Sequence, residues 1–381
     1  MSDESPALGL DLAASDAVNQ TSQGQGGDNY LVLARKYRPK DFSTLIGQEV
    51  LVRTLSNAFA SGRLAHAFLL SGVRGVGKTT TARILAKAFN CTGEDGTRTT
   101  PTPHPCGKCA NCLAIAEDRH VDVLEIDAAS NNGVDYIREL QDELHYKPVQ
   151  GRFRIYIVDE VHMLSTSAFN AFLKTLEEPP EHVKFIFATT EANKLPITIR
   201  SRCQRFDLRR VTAAQLKEHY VRLCALEGVD ADDEALSLIA QAADGSVRDG
   251  LSMLDQAISM LGAGTEARVT AAQVREMLGL NDGERLRRMF DLVHSGDTKA
   301  ALDLFAELFA DGADPTILAR ELCTLTHLVT RHKLVGEDVA ILMSASEKDF
   351  LAQASGQLSL GALNRTWELL IQGLDELKSA N

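Results

Sequence analysis

Between Tyr30 and about Arg210 the chain alternates two kinds of apolar pattern. Short, almost unbroken runs occur at His66–Leu70, Val121–Ile126, Phe153–Val158 and Val183–Ala188, most of them rich in β-branched or aromatic residues. A strand that is apolar on both sides has to be covered on both sides, so these runs predict the buried strands of a parallel sheet. Between the last two, Leu164, Ala168, Phe169, Phe172, Leu173 and Leu176 recur at the spacing of one helix face. Pro179-Pro180 ends that helix, because proline has no amide hydrogen to continue it. Val134, Ile137, Leu140 and Leu144 mark another helix. The alternation predicts an α/β domain over residues 30–211 with right-handed crossovers.

Beyond Arg210 the strand-like runs stop. Thr212 with Gln215 and Thr270 with Gln273 are capping-box pairs. Leu216, Tyr220 and Leu223 share one face of the first helix, which Gly228 is placed to stop. A second helix is predicted from about Asp233 to Ala243, and Asp244-Gly245 breaks it from a third. Residues 212–277 therefore read as a small all-helical domain. From Asn281 the pattern is helical again: Asp314-Pro315 is a cap followed by proline at the first helical position, and a last helix runs from about Leu358 to Leu377. A larger all-helical domain is expected over 278–381. At the other end, residues 1–29 are rich in Ser, Gln, Gly, Asn and Asp and hold too little apolar surface to offset the entropy of ordering, so a disordered tail is expected.

The tail carries five acidic residues and no Lys or Arg, and the whole chain has a formal charge of −12. So acidic a chain does not attract nucleic acid by its overall field. Any DNA contact must come from a partner or from a local basic surface such as Arg35, Lys36, Arg38 and Lys40, which reads equally well as a solvated face. There is no run of 18 apolar residues and no basic start followed by an apolar core, so neither a membrane span nor a secretory signal is expected, and the default location is the cytoplasm.

Gly72-Val73-Arg74-Gly75-Val76-Gly77-Lys78-Thr79 fits G-x-x-x-x-G-K-[ST]. In such a loop the glycines let backbone N–H groups turn toward phosphate oxygens, the lysine reaches the β and γ phosphates, and the threonine hydroxyl ligates Mg²⁺. The motif follows the run His66–Leu70 and precedes a helical run, Thr80–Phe89, whose N-terminal dipole also favours an anion. The run Phe153–Val158 delivers Asp159 and Glu160 at its C-terminal end, the edge at which open α/β sheets bind ligands. Beside a phosphate loop these suit a Mg²⁺-holding Asp159 and a general base, Glu160; alone they are equally a pair of solvated acids.

Of seven cysteines, Cys91, Cys106, Cys109 and Cys112 are spaced C-x₁₄-C-x₂-C-x₂-C. Four clustered thiols suit tetrahedral Zn²⁺ with no position left for water, a structural site; free or redox thiols are the competing reading. The intervening segment Thr92–Pro105 is rich in Thr, Pro and Gly and reads as a loose loop. Cys203, Cys224 and Cys323 are most simply core or near-core thiols.

The stretch Asp159-Glu160-Val161-His162-Met163-Leu164, then Phe169-Asn170 and Leu173-Lys174-Thr175-Leu176-Glu177-Glu178-Pro179-Pro180, with Ala188-Thr189-Thr190 and Ser201-Arg202-Cys203, closely resembles the tau/gamma clamp-loader subunits of bacterial DNA polymerase III, which are AAA+ ATPases. Leu33-Ala34-Arg35-Lys36-Tyr37-Arg38-Pro39 and Ile46-Gly47-Gln48 match the family's opening motif. The likeness runs from Tyr30 to about Leu280 and more loosely beyond.

The resemblance implies an AAA+ P-loop domain with a zinc module inserted between the phosphate-loop helix and the next strand, a helical lid and a helical oligomerisation collar. It implies ATP, Mg²⁺ and Zn²⁺ as cofactors. Ala34, Arg38, Pro39, Ile46 and Val247 would cradle the adenosine, beside the loop 72–79 and Thr80. Thr190 would sense the γ-phosphate, with Thr189 as its alternative, and Arg248 would reach that phosphate from the lid. Arg202, otherwise readable as a surface residue, would act as an arginine finger in a neighbouring subunit's site. The implied partners are the other subunits of a hetero-pentamer, a ring-shaped sliding clamp and primer–template DNA. The acidic tail departs from the pattern, and with its last residue at Asn381 the chain is expected to lack the final collar helix and the long C-terminal extension that tau forms use to hold a polymerase. A branch-migration motor and a non-hydrolysing nucleotide scaffold are the competing functions.

Overall fold

The computed structural model describes residues 31–261, 268–278, 283–336 and 345–379. The tail 1–29 and the chain end at Asn381 lie outside the described residues. The five long strands are β1 (Ala67–Ser71), β2 (Val123–Asp127), β3 (Arg154–Asp159), β4 (Val183–Thr189) and β5 (Gln204–Asp207). They pair in parallel in the order β2-β3-β4-β1-β5. The four apolar runs are thus strands, each within one or two residues of its predicted bounds. The fifth was not predicted: it is a short edge strand in which only Phe206 is buried, leaving no apolar run to read.

The helices of this domain are α1 (Leu33–Lys36), α2 (Glu49–Ser61), α3 (Lys78–Asn90), α4 (Ala110–Ala116), α5 (Val134–Glu143), α6 (Thr166–Glu177) and α7 (Ile197–Arg200). Successive strand residues point to opposite faces, and both faces are covered. Ala67, Leu69, Tyr156, Val158, Phe185 and Phe187 pack with Ile137 and Leu140 of α5 and Ala168 and Phe172 of α6. Phe68, Leu70, Ile155, Ile157 and Ile186 pack with Leu55 and Phe59 of α2 and Leu85 and Phe89 of α3. This two-sided burial is why the strands read as unbroken apolar runs.

The region expected to form the lid holds α8 (Ala213–Glu227), α9 (Asp233–Ala242), α10 (Val247–Ser259) and α11 (Ala271–Met277). Both predicted capping boxes are formed, and Gly228 ends α8 in the left-handed conformation. A two-residue parallel pair, Asp230–Ala231 with Arg268–Val269, adds a small tie that helix periodicity does not reveal. The core of this helical unit also takes in Leu33 of α1 and Val211, so α1 packs against it. Among the described residues five further helices follow: α12 (Gly283–Ser295), α13 (Thr298–Ala310), α14 (Pro315–Val335), α15 (Ala345–Gln357) and α16 (Leu360–Ser379), with two cores around Phe290, Val329 and Leu363 and around Met289, Leu304 and Leu308. No helix among the described residues is long and apolar enough to cross a membrane.

Candidate nucleotide site and cysteine cluster

The sheet register brings the C-terminal ends of β1, β4 and β3 to one edge. Ser71 lies beside Thr189, and the amide of Gly72 donates to the Thr189 carbonyl at 3.3 Å. Asp159 closes β3, beside Asp127 of β2. The loop from Gly72 to Gly77 turns from β1 into α3, with positive φ at Gly72, Gly75 and Gly77. A Cβ at Gly72 would lie 2.8 Å from the Leu208 carbonyl oxygen, and one at Gly75 would collide with the Ser246 hydroxyl. Both positions therefore demand glycine for space as well as for φ.

Lys78 is 5% exposed, and its Nζ donates to the carbonyls of Gly72 and Val73, both at 3.0 Å. Burial lowers its pKa and Arg74 adds to the fall, while the nearby Glu160 and Asp159 oppose it. Thr79 Oγ1 donates to Asp159 Oδ2 at 2.6 Å, so the two oxygens expected to share Mg²⁺ are adjacent. Two protein oxygens facing a phosphate loop fit an ion that keeps most of its ligands as water and phosphate. Glu160, at φ 46°, is in the left-handed region, which is uncommon for a side-chain-bearing residue and concentrates at functional sites. Its Oε2 accepts from the Thr190 amide at 3.2 Å and the Thr190 hydroxyl at 3.1 Å. Thr189 lies deeper, fully buried, so Thr190 is the threonine that meets the acid.

The lid reaches this loop directly. Arg248, in the first turn of α10, donates its amide to the Gly75 carbonyl at 3.3 Å, while its side chain is exposed. Arg38 donates to Thr80 Oγ1 at 3.2 Å. Loss of solvent lowers the Arg38 pKa, and Arg83, Arg248 and Arg35 push the same way. Like charges converging beside a glycine loop fit an anionic ligand. Ala34, Ile46 and Val247 border the lid core together, and Pro39 follows Arg38 on the same segment. Val76 turns its side chain into the core, leaving only its backbone for a ligand. Lys36 pairs with Glu227, so the basic cluster of residues 35–40 is partly engaged within the chain.

Arg202 sits apart from this edge, after α7. Its Nη2 donates to Glu177 Oε1 at 2.6 Å and its Nη1 to the Thr198 carbonyl at 2.8 Å. Both contacts are with α6 and α7, and neither is with the phosphate loop.

The sulfurs of Cys91, Cys106, Cys109 and Cys112 all lie within 4.8 Å of one another. Backbone amides donate to them: Cys106 N to Cys91 Sγ at 3.2 Å and Cys109 N to Cys106 Sγ at 3.3 Å. Burial pushes the Cys112 thiol up. It acts the same way on Cys109, but hydrogen bonds from Thr92 and the Cys112 amide outweigh it and bring that thiol down. Four converging sulfurs with amide donors fit a tetrahedral metal. The other three cysteines are buried or partly buried.

The cluster is tied to the α/β core by residues that no local pattern marks. Arg152 donates to the carbonyls of Phe89 at 3.0 Å, Arg98 at 2.8 Å and Cys91 at 2.7 Å. Asn90 Oδ1 accepts the amides of Arg152 and Phe153. Arg152→Ala leaves three carbonyls to find water and is expected to cost about 2–3 kcal/mol. Urea unfolding should register the loss, and hydrogen exchange should show protection falling first over residues 91–112.

Residues 47–212 match the family described as DNA polymerase III, delta subunit; residues 215–264 match the DNA polymerase III clamp loader subunit ATPase lid domain; and residues 269–381 match DNA polymerase III subunits gamma and tau domain III. DNA polymerase III subunit gamma of Buchnera aphidicola is 39% identical over 92% of this chain and 95% of its own length. The tau subunit of Salmonella typhimurium is 41% identical over 92% of this chain and 53% of its own, and that of Escherichia coli 43% identical over 82% and 48%. The chain thus spans about half the length of these tau relatives. Among solved structures, the RuvB Holliday junction branch migration motor of Thermotoga maritima aligns at a TM-score of 0.48 and 22% identity over 68% of this chain and 79% of that one, too distant to bear on function.

Proposed function

This chain belongs to the tau/gamma family of DNA polymerase III clamp-loader subunits, and from that premise we propose that it is an ATPase whose nucleotide state sets the angle between its α/β domain and its lid. The observation that carries the proposal is the bond from the Arg248 amide to the Gly75 carbonyl, which makes the phosphate loop and the lid parts of one contact. A nucleotide shifts such a contact only through its different affinity for the two arrangements.

In this reading the loop 72–79 with Thr80 wraps the phosphates, and Ala34, Arg38, Pro39, Ile46 and Val247 hold the adenosine. Mg²⁺ held by Thr79 and Asp159 would neutralise phosphate charge. Lys78 leaves its carbonyls for the β and γ phosphates, Thr190 senses the γ-phosphate and Arg248 reaches it from the lid. Glu160 takes a proton from the attacking water. Arg202 leaves Glu177 to stabilise charge in the next subunit's site. Residues 30–211, 212–277 and 278–381 act as nucleotide-binding, lid and collar domains, and the four cysteines hold a structural Zn²⁺. In the cytoplasm the chain would join other loader subunits in a hetero-pentamer that opens the sliding clamp and places it on primer–template DNA.

The test is ATPase rate for the intact chain alone, then with partner subunits, clamp and primed DNA added in turn. Stimulation of about tenfold or more on completing the set is expected, since arginine fingers act on that scale or above. Turnover indifferent to all three additions, or a hexamer on DNA needing no clamp, would overturn the clamp-loading role while leaving the ATPase. Failure of the folded chain to bind adenine nucleotide would overturn both.

A further inference from the structure

We propose that His162 is a positioning residue for Glu160, the second tether that fixes which oxygen of that carboxylate is free to act; this rests on the reading of Glu160 as the base. Residues 161–163 form a single 3₁₀ turn after β3, closed by the Met163 amide donating to the Glu160 carbonyl at 2.8 Å. The turn folds the His162 ring back over the sheet edge, where its side chain is only 8% exposed. Nδ1 lies 3.0 Å from Thr189 Oγ1 and 3.4 Å from Glu160 Oε2, and Nε2 lies 3.5 Å from Glu191 Oε1. Thr189 Oγ1 in turn accepts the Glu191 amide at 3.0 Å. The imidazole therefore joins the end of β3 to the end of β4 through a chain of polar contacts centred on the buried Thr189.

Its effect follows from what surrounds Oε2. The Thr190 amide and hydroxyl both donate to that oxygen, and His162 Nδ1, whose hydrogen bond is with Thr189 Oγ1, lies 3.4 Å from it on the other side. Among the described residues no recorded hydrogen bond uses Oε1. Thr190 bonded to that oxygen and the imidazole packed against it leave the other oxygen as the basic atom with a fixed direction. With the ring removed, only Thr190 holds the carboxylate, which then turns about its terminal torsions and spends less time in the productive orientation. A histidine that merely fills space would not have its effect confined to Glu160.

The experiment uses the intact chain and compares His162→Ala, His162→Asn and His162→Gln, alone and in a Glu160→Gln background. ATP turnover, fluorescent-ATP affinity and thermal midpoint are read for each. His162→Ala is expected to lower kcat about 10- to 100-fold with nucleotide affinity within about twofold of wild type. Asn, whose amide reaches the Nδ1 position, should restore most of the rate, and Gln, which reaches the Nε2 position, should not. In the Glu160→Gln background the His162→Ala change should cost nothing further, because it acts through Glu160. Unchanged turnover in His162→Ala, Asn no better than Gln, or loss of affinity and rate together would overturn the proposal. If the alanine variant does not fold, the Asn–Gln comparison decides. Wild-type turnover in Glu160→Gln by itself would overturn the assignment of the base and this inference with it, an outcome distinct from failure at His162.

Discussion

Glu160→Gln is expected to bind ATP as well as wild type and to lose turnover by about 10²–10⁴-fold, the usual contribution of a general base. The amide is close to the carboxylate in size and shape. Its oxygen can still accept from the Thr190 amide and hydroxyl, which lie 3.2 and 3.1 Å from Oε2. The left-handed backbone at residue 160 and the turn after it should therefore persist. What disappears is the basicity of the outward oxygen and a negative charge near the phosphates, so affinity should hold or rise slightly. Titration with a fluorescent ATP analogue, paired with phosphate release at saturating ATP, separates the two effects. Lys78→Ala provides the contrast, since removing the buried cation should weaken binding itself. Turnover near wild type in Glu160→Gln would mean that another group activates the water.

The second large effect is expected at the cysteine cluster. Cys112 is fully buried and cannot be replaced by solvent, so Cys112→Ser or prolonged chelation should release the metal and lower stability by about 5 kcal/mol or more, the scale on which structural zinc contributes to folding. The loss should be uneven. Val76, Ala82 and Leu85 pack into the core with Phe68 and Leu70 of β1 and Leu55 of α2, so the phosphate end of α3 should keep its packing while the segment after Asn90 opens. Nucleotide affinity should then fall by no more than a few-fold, while the urea midpoint moves and exchange protection over residues 91–112 collapses. Metal content measured on the purified chain is the control. No bound zinc, together with no effect of chelator, would return the four sulfurs to the class of free thiols.

Parts of the molecule were legible in sequence because their chemistry is local. The phosphate loop, the acids ending β3, the four cysteines and the capping residues Thr212, Thr270 and Asp314 all act within a few residues of themselves. The covered strands were legible for a related reason, since burial on both faces leaves only apolar residues. Strand β5 was not, because an edge strand with one buried residue has no such pattern. Helix α2 was passed over although Leu51, Leu55 and Phe59 recur every fourth position and all are buried; that periodicity was there to find. His162, Arg152 and Asn90 could not be found this way. Each acquires its role from a partner brought near by folding: Thr189 for His162, the Phe89 and Cys91 carbonyls for Arg152, and the Phe153 amide for Asn90. The contact of Arg248 with Gly75 belongs to the same class, because it joins two domains.

Helix α3 begins at Lys78 and gives way at Asn90 to Cys91, which caps its C-terminus. Its thirteen residues thus act as a ruler about 20 Å long between the triphosphate chemistry and the sulfur cage. Adding one residue anywhere along it would turn Cys91 by about 100° and advance it by about 1.5 Å relative to Lys78, swinging that sulfur away from the other three. One turn, about four residues, would bring the sulfur back to within about 40° of its bearing, but it would then stand some 6 Å too far along the axis. The length of this segment is therefore under a stricter constraint than its composition. A library of insertions and deletions through α3 should return few that fold, while insertions at the exposed tip 94–97 of the following loop, outside the part that Arg152 holds at Arg98, should be tolerated far better.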